Sequence, residues 1–179
     1  MLWILLACDP VVVAVDFEAV LEGVDGLPWG ISADQVGATA TGSFWYDATT
    51  GDQSGADEAY GLYNAGGMGG FSLELEGVVV EGSNTPAVET WNTTGDHFYF
   101  IDGDDPPMLG LYEDAQTGVL TVDGEEDPAL TLRLSFLDET GTAVDDDGLH
   151  DPFPFTVEAE RGLSLETEGG SVWLELTAL

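Results

Sequence analysis

The sequence has almost no positive charge. It contains no lysine, and its two basic side chains are Arg133 and Arg161, against 35 Asp and Glu residues, so the formal net charge at pH 7 is -33. Nucleic-acid binding needs Lys and Arg to displace counterions from phosphates, and anionic lipid surfaces attract the same residues. The composition therefore excludes nucleic-acid binding, and it excludes membrane adsorption other than through a lipid anchor. We interpret the carboxylates as a solubilising surface, with cation binding as the alternative.

Cysteine pairs and long apolar runs are also missing. The single cysteine, Cys8, allows no intramolecular disulfide, so the redox compartment cannot be inferred from cysteine pairing. No stretch is both long enough and free enough of charge to span a bilayer, so we predict no transmembrane segment. The length of 179 residues and the apolar content of 44% instead suit one folded domain with its own core.

The chain has little helical periodicity and much alternation of apolar with polar residues, which is typical of half-buried strands. The alternation runs through 11–21 and returns in FSLELEG (71–77), LTLRLSF (130–136), FTVEA (155–159) and SVWLELT (171–177). Further strands are predicted at Thr39–Asp47, Val88–Asn92, Phe98–Ile101, Leu109–Glu113 and Val119–Val122. Clusters of Gly, Asp and Asn between them are typical of turns. We therefore predict that 11–179 form a single antiparallel β-sandwich of jelly-roll type, with about nine or ten strands.

Residues 1–8 form a short apolar stretch that ends in LLAC, which resembles a bacterial lipoprotein signal and its lipobox. Lipidation at Cys8 would make the product an exported lipoprotein facing the periplasm or the cell exterior. The stretch has no basic n-region and is shorter than the usual apolar region of a signal peptide. The alternatives are that Cys8 is a small buried apolar residue, or that cleavage near Ala14 releases a secreted protein.

A segment near residue 45 resembles a known family. The order of Gly42, Phe44, Tyr46, Asp47, Thr49 and Asp52 in GSFWYDATTGD is similar to a strand and loop of a widespread family of exported bacterial β-sandwich proteins, many of which carry PEP-CTERM sorting tails. The opening VDFEAVLEGV, the GGFSLELEG hairpin, LSFLDETGTA and the closing GGSVWLELTAL are similar as well. The resemblance implies export and a surface or matrix role, with no catalytic residues to transfer. The Pro-Glu-Pro motif and basic tail are absent from this sequence.

Residues for catalysis are poorly represented. The sequence has no G-x-S-x-G elbow for a nucleophilic serine, and its histidines, His97 and His150, each lie beside an aspartate without a nucleophile in the same motif. With 35 acids, some carboxylate pair would fit any glycosidase spacing, so acid pairs do not discriminate. We predict no catalytic residues.

Two acidic loops are candidate Ca²⁺ sites, because Ca²⁺ is held by carboxylate and carbonyl oxygens without His or Cys. The first loop contains Asp102, Asp104 and Asp105, and the second contains Asp145, Asp146 and Asp147. Neither has the acid spacing of an EF-hand loop. The alternative is that all six are solvated turn aspartates, and no other cofactor is predicted.

Exposed aromatic rings are the remaining candidate feature. Trp45 and Trp173 fall in phase with polar residues, on the strand face opposite the apolar stripe, where an indole could stack on a sugar ring. The alternative is that they cover a strand near an edge or a loop. We therefore expect a non-enzymatic exported module that binds a cell-surface or extracellular partner, with a carbohydrate-binding module as the second interpretation and a hydrolase on a β-sandwich as the third.

Overall fold

The computed structural model describes residues 10–51, 53, 60–63, 69–83, 87–92, 96–103, 119–138, 153 and 160–179. The strands are β1 (Val12–Gly26), β2 (Thr39–Asp47), β3 (Tyr60–Tyr63), β4 (Gly69–Leu75), β5 (Val78–Ser83), β6 (Ala87–Asn92), β7 (Asp96–Gly103), β8 (Val119–Val122), β9 (Glu125–Glu126), β10 (Thr131–Asp138), β11 (Glu160–Thr167) and β12 (Gly170–Ala178). Two single-turn 3₁₀ helices, Pro28–Gly30 and Ala33–Gln35, follow β1. Across these residues, no helix is long and apolar enough to cross a membrane.

All the strands belong to one antiparallel sheet, in the order β3-β6-β7-β10-β11-β12-β1-β2-β4-β5-β8-β9. The all-β, antiparallel prediction is confirmed. The described residues contain twelve strands, where about nine or ten were predicted, and the predicted strands at Leu109–Glu113 and 155–159 lie outside the described residues. Four of the twelve, β3, β5, β9 and β11, had not been predicted. β9 has only two residues, and β5 begins with three consecutive valines instead of an alternation.

The sheet curls so that its two halves face each other. Phe44 on β2 and Phe136 on β10 are four strands apart in the sheet, which in a flat sheet would separate them by roughly 19 Å. Their ring centroids lie only 5.8 Å apart. Phe153 packs edge-on against both rings, with centroids 5.4 Å from Phe44 and 4.9 Å from Phe136. The core therefore lies on the concave face of a single curled sheet.

β1 joins the two halves because it pairs with β2 along its first part and with β12 along its second part. Its alternating side chains from Val13 to Leu21 are buried, as the alternation in the sequence predicts. The strand continues to Gly26, beyond the alternation that ends at Leu21, with irregular pairing to β12 between Glu18 and Ala19 and between Leu21 and Gly23. Such irregularities bend a strand and increase its twist, so they help the sheet to curl.

The connection from β9 to β10 closes one end of the curled sheet. The Asp127 carboxylate accepts hydrogen bonds from the Ala129 amide (3.1 Å), from the Thr167 hydroxyl (3.0 Å) and, at 3.5 Å, from the Trp29 indole. Thr167 ends β11, while Asp127 follows the edge strand β9 at the far side of the sheet. These bonds therefore hold two distant parts of the sheet together. The amide of the buried Leu130 also donates to the Asp127 carbonyl at 3.1 Å.

Candidate functional site

The convex face of the sheet carries a row of polar side chains across five adjacent strands. In register, Asp16 of β1 lies opposite Ser43 of β2, which lies opposite Ser72 of β4, then Glu81 of β5 and Thr121 of β8. Their sequence neighbours on the other face are core residues, so the alternation of each strand directs these five outward. We call this set the outer row. Asp16 and Glu81 are exposed, and the three hydroxyl residues are partly exposed.

Two open depressions lie along the outer row. The first, of about 560 Å³, is bordered by Asp16, Ser43, Ser72 and the C-terminal Ala178 and Leu179, among others. The second, of about 530 Å³, shares Ser43 and Ser72 and continues past Trp45 and Glu81 to Gly124. Because they share two residues, the depressions form one shallow groove across the convex face. We call it the outer groove.

Trp45 forms one wall of the outer groove and is held there by a glycine. It lies opposite Gly70 on β4, and a Cβ placed on Gly70 would come within 2.4 Å of the indole Nε1. The indole therefore crosses β4 over a position with no side chain, and cross-strand packing of this kind fixes an aromatic ring on a sheet. The side chain remains 36% exposed, so part of the ring faces solvent beside hydroxyl groups.

Trp173 has the same arrangement at a different place. It lies opposite Gly23 of β1, and a Cβ on Gly23 would come 3.0 Å from the indole ring, which is 41% exposed. Trp45 pairs with Ala14 and Trp173 with Gly23, so nine residues of β1, roughly 25 to 30 Å, separate them. Both indoles lie outward, as the sequence phase predicts, but they do not form one stacking platform. Trp29, by contrast, is partly buried against the core.

A buried carboxylate at the end of β2 is a second unusual feature. Asp47 is 2% exposed, and its Oδ1 atom accepts three hydrogen bonds, from the Val11 amide (3.0 Å), the Thr49 amide (2.8 Å) and the Thr49 hydroxyl (2.7 Å). Among the described residues, neither its Oδ2 atom nor the buried Thr50 hydroxyl has a hydrogen-bond partner. Burial raises the pKa of this carboxyl. The hydrogen bonds from Thr49 and Val11 together lower the pKa by more than burial raises it, so the pKa lies below its usual value. Asp47 is therefore ionised at neutral pH.

Sequence reasoning placed no site at Asp47, although it noted the residue in GSFWYDATTGD. A D-x-T sequence after a strand predicts a turn in which the carboxylate accepts bonds from the residue two positions on, and the structure has that turn. The burial of Asp47 has no signal in the sequence. Strand alternation places it outward, because Phe44 and Tyr46 on the same strand are in the core.

The Ca²⁺ candidates fall almost entirely outside the described residues. Asp104, Asp105, Asp145, Asp146 and Asp147 lie there, as do Cys8 and His150. Asp102 lies on β7 opposite Leu132, and His97 lies on the same strand opposite Leu137. Within the part of the chain that the structure describes, no group of three or more His, Cys, Asp or Glu side chains is arranged to hold a metal ion.

Comparison of the chain with protein-family models, with curated proteins and with solved structures gives no match.

Proposed function

We propose that this protein is a non-enzymatic, exported module that acts as a structural or interaction element at the cell surface or in an extracellular matrix. The observation that carries the proposal is the outer groove: an open depression on a stiff sheet, bordered by hydroxyl and carboxylate side chains at regular strand spacing. Polar groups fixed on a rigid framework favour recognition of an extended partner, because little side-chain entropy is lost on binding. A structural or cell-surface partner fits such a surface.

The charge distribution supports the same proposal. The exposed acids of the convex face include Asp16, Glu18, Glu74 and Glu81, and a surface of this sign repels polyanions and anionic lipid. A neutral or cationic partner is therefore favoured.

We also propose that the curled sheet packs as a sandwich of jelly-roll type. The contact between Phe44 and Phe136 supports this arrangement, because it joins two inner faces as the facing sheets of a sandwich are joined.

Export is tested at Cys8. When the gene is expressed in a bacterial host with its complete upstream region, we expect the product to incorporate labelled palmitate and the Cys8→Ala variant to incorporate none, because the thiol is the atom that would carry the lipid. The measurement is gel fluorography of the immunoprecipitated protein, with protease accessibility on intact cells as a second readout. An unlabelled wild-type protein that stays in the cytoplasm, protected from protease, would contradict both lipidation and export.

Carbohydrate binding in the outer groove is the second candidate function. Its specific support is Trp45, whose indole is held over Gly70 with part of its ring in solvent, beside Ser43 and Ser72. An aromatic face stacks on the C–H face of a sugar ring, while neighbouring hydroxyl and carboxylate groups bind the sugar hydroxyls. A neutral polysaccharide also avoids repulsion by the acidic surface.

This candidate is tested by affinity electrophoresis with neutral polysaccharides such as cellulose derivatives, xylan and soluble glucans. We expect one of them to retard the wild-type protein, and Trp45→Ala to weaken the interaction by about tenfold, as loss of one stacking contact predicts. Trp173→Ala is the matched control, since it removes an indole of similar exposure that does not border the groove. Equal retardation of both variants, or no retardation of the wild type, counts against sugar binding, and release of soluble oligosaccharides would favour the hydrolase interpretation.

A further inference from the structure

We propose that the turn after β2 is a Ca²⁺ site in which the Oδ2 atom of Asp47 and the Oγ1 atom of Thr50 are ligands. The site is separate from the outer groove and from the six aspartates that the sequence suggested. It rests on two buried oxygen atoms that have no hydrogen-bond partner among the described residues.

The two oxygens of the Asp47 carboxylate have very different surroundings. Oδ1 accepts three hydrogen bonds and Oδ2 accepts none from the described residues, although the side chain is 2% exposed. An ionised carboxylate removed from water loses its hydration on both oxygens, and that loss is offset only by donors or by a cation. The donors account for Oδ1. A cation bound to Oδ2 would offset the hydration that this second oxygen loses on burial.

Neither arginine of the chain lies on the strands that hold this turn, β1 and β2. The chain has no lysine, and of its two arginines Arg161 lies on β11, where its Nε atom donates to the Leu176 carbonyl at 2.6 Å. Arg133 lies on β10, between β7 and β11 in the sheet. A bound metal ion would supply a counter-charge to Oδ2 that neither arginine supplies from its place in the sheet.

The ligand atoms favour Ca²⁺ over other metals. A carboxylate and a hydroxyl are hard oxygen ligands, and Ca²⁺ accepts them together with backbone carbonyls and water in a flexible shell of six to eight oxygens. Zn²⁺ and the later transition metals prefer imidazole or thiolate. Mg²⁺ gives up its own water reluctantly and requires near-octahedral geometry, so it fits a site with one carboxylate less well.

The turn is fixed before any ion binds. The Thr50 amide donates to the Asp47 carbonyl at 3.1 Å, which brings the two ligand residues together in one tight turn. The Ala48 amide donates to the Val11 carbonyl at 2.8 Å, and the Val11 amide donates to Asp47 Oδ1. The turn is thus held against the chain that leads into β1. An ion bound here would clamp that segment to the end of β2.

The test is calorimetric titration of CaCl₂ into the full chain after chelator treatment and dialysis. The buffer contains about 0.5 M tetramethylammonium chloride, which screens the general charge with a cation too bulky for the turn. We expect saturable binding by the wild type, loss of one binding event in Asp47→Asn, and affinity lower by about tenfold in Thr50→Val, which keeps the shape but removes the ligand oxygen. Asp25→Asn, an exposed acid on β1, removes the same charge and should bind Ca²⁺ as the wild type does.

Two results would overturn the proposal. One is the absence of saturable Ca²⁺ binding by the wild type, which would mean that water alone satisfies both oxygens. The other is unchanged stoichiometry and affinity in Thr50→Val and Asp47→Asn, which would place the bound ions on other acidic loops. If Asp47→Asn fails to fold, Thr50→Val decides the question, since it leaves the hydrogen bonds to Asp47 Oδ1 in place.

Discussion

Replacing Phe136 with alanine should lower the free energy of unfolding by about 3 to 5 kcal/mol, the range for removal of a buried aromatic ring. Phe136 is fully buried, and its ring contacts Phe44 and Phe153 across the concave face of the sheet. The cavity would lie where the two halves of the sheet meet, so the loss should weaken the contact that keeps the sheet curled. Urea unfolding, followed by tryptophan fluorescence at fixed high ionic strength, measures the change.

The control for this prediction is Leu27→Ala, because Leu27 is 61% exposed and its truncation should change the free energy of unfolding by about 0.5 kcal/mol or less. A double-mutant cycle with Phe44→Ala adds a test of the curl itself. If Phe44 and Phe136 touch, the two losses should not be additive. Strict additivity, or a loss in Phe136→Ala no larger than in Leu27→Ala, would contradict the packing of β2 against β10.

The second large effect is expected from Gly170→Ala, at the start of β12. Gly170 has a φ of 137°, and a Cβ there would lie 1.9 Å from the carbonyl oxygen of Asp25 and 3.0 Å from the Cα of Gly26. Both obstacles are backbone atoms of β1 and cannot rotate away. The strained φ and the overlap together should lower the free energy of unfolding by about 3 kcal/mol or more, measured as the shift of the urea midpoint.

Gly169→Ala provides a matched control one residue earlier. Its added Cβ would have a nearest neighbour at 3.8 Å, which is ordinary van der Waals contact, so the same substitution should be tolerated. Equal stability of the two variants would contradict the close approach of the β12 backbone at Gly170 to the β1 backbone at Asp25 and Gly26. A large loss in both would point instead to a need for flexibility in the turn between β11 and β12.

Local strand structure was predictable where one face of a strand is buried and the other is solvated. The alternation from Val13 to Leu21 places one set of side chains in the core, and Thr39–Asp47 was predicted with the bounds that β2 has. The prediction missed β11 although Leu163 and Leu165 alternate with polar residues there, and it failed in β5 and at the start of β4, where that asymmetry is missing. The valines at the start of β5 do not alternate, and the glycines that begin β4 resemble turn residues although they are paired and buried.

The sequence by itself determined that this protein is an acidic, all-β, antiparallel protein, because period-two burial and the near absence of Lys and Arg are local properties of the chain. Only the tertiary structure decided that the described strands form one curled sheet, because strand order depends on pairings between residues far apart, such as Glu18 with Ala178. The same long-range pairing places Trp45 over Gly70 and aligns the outer row across five strands. It also buries Asp47, since the bond from Val11 that covers it joins residues 36 positions apart.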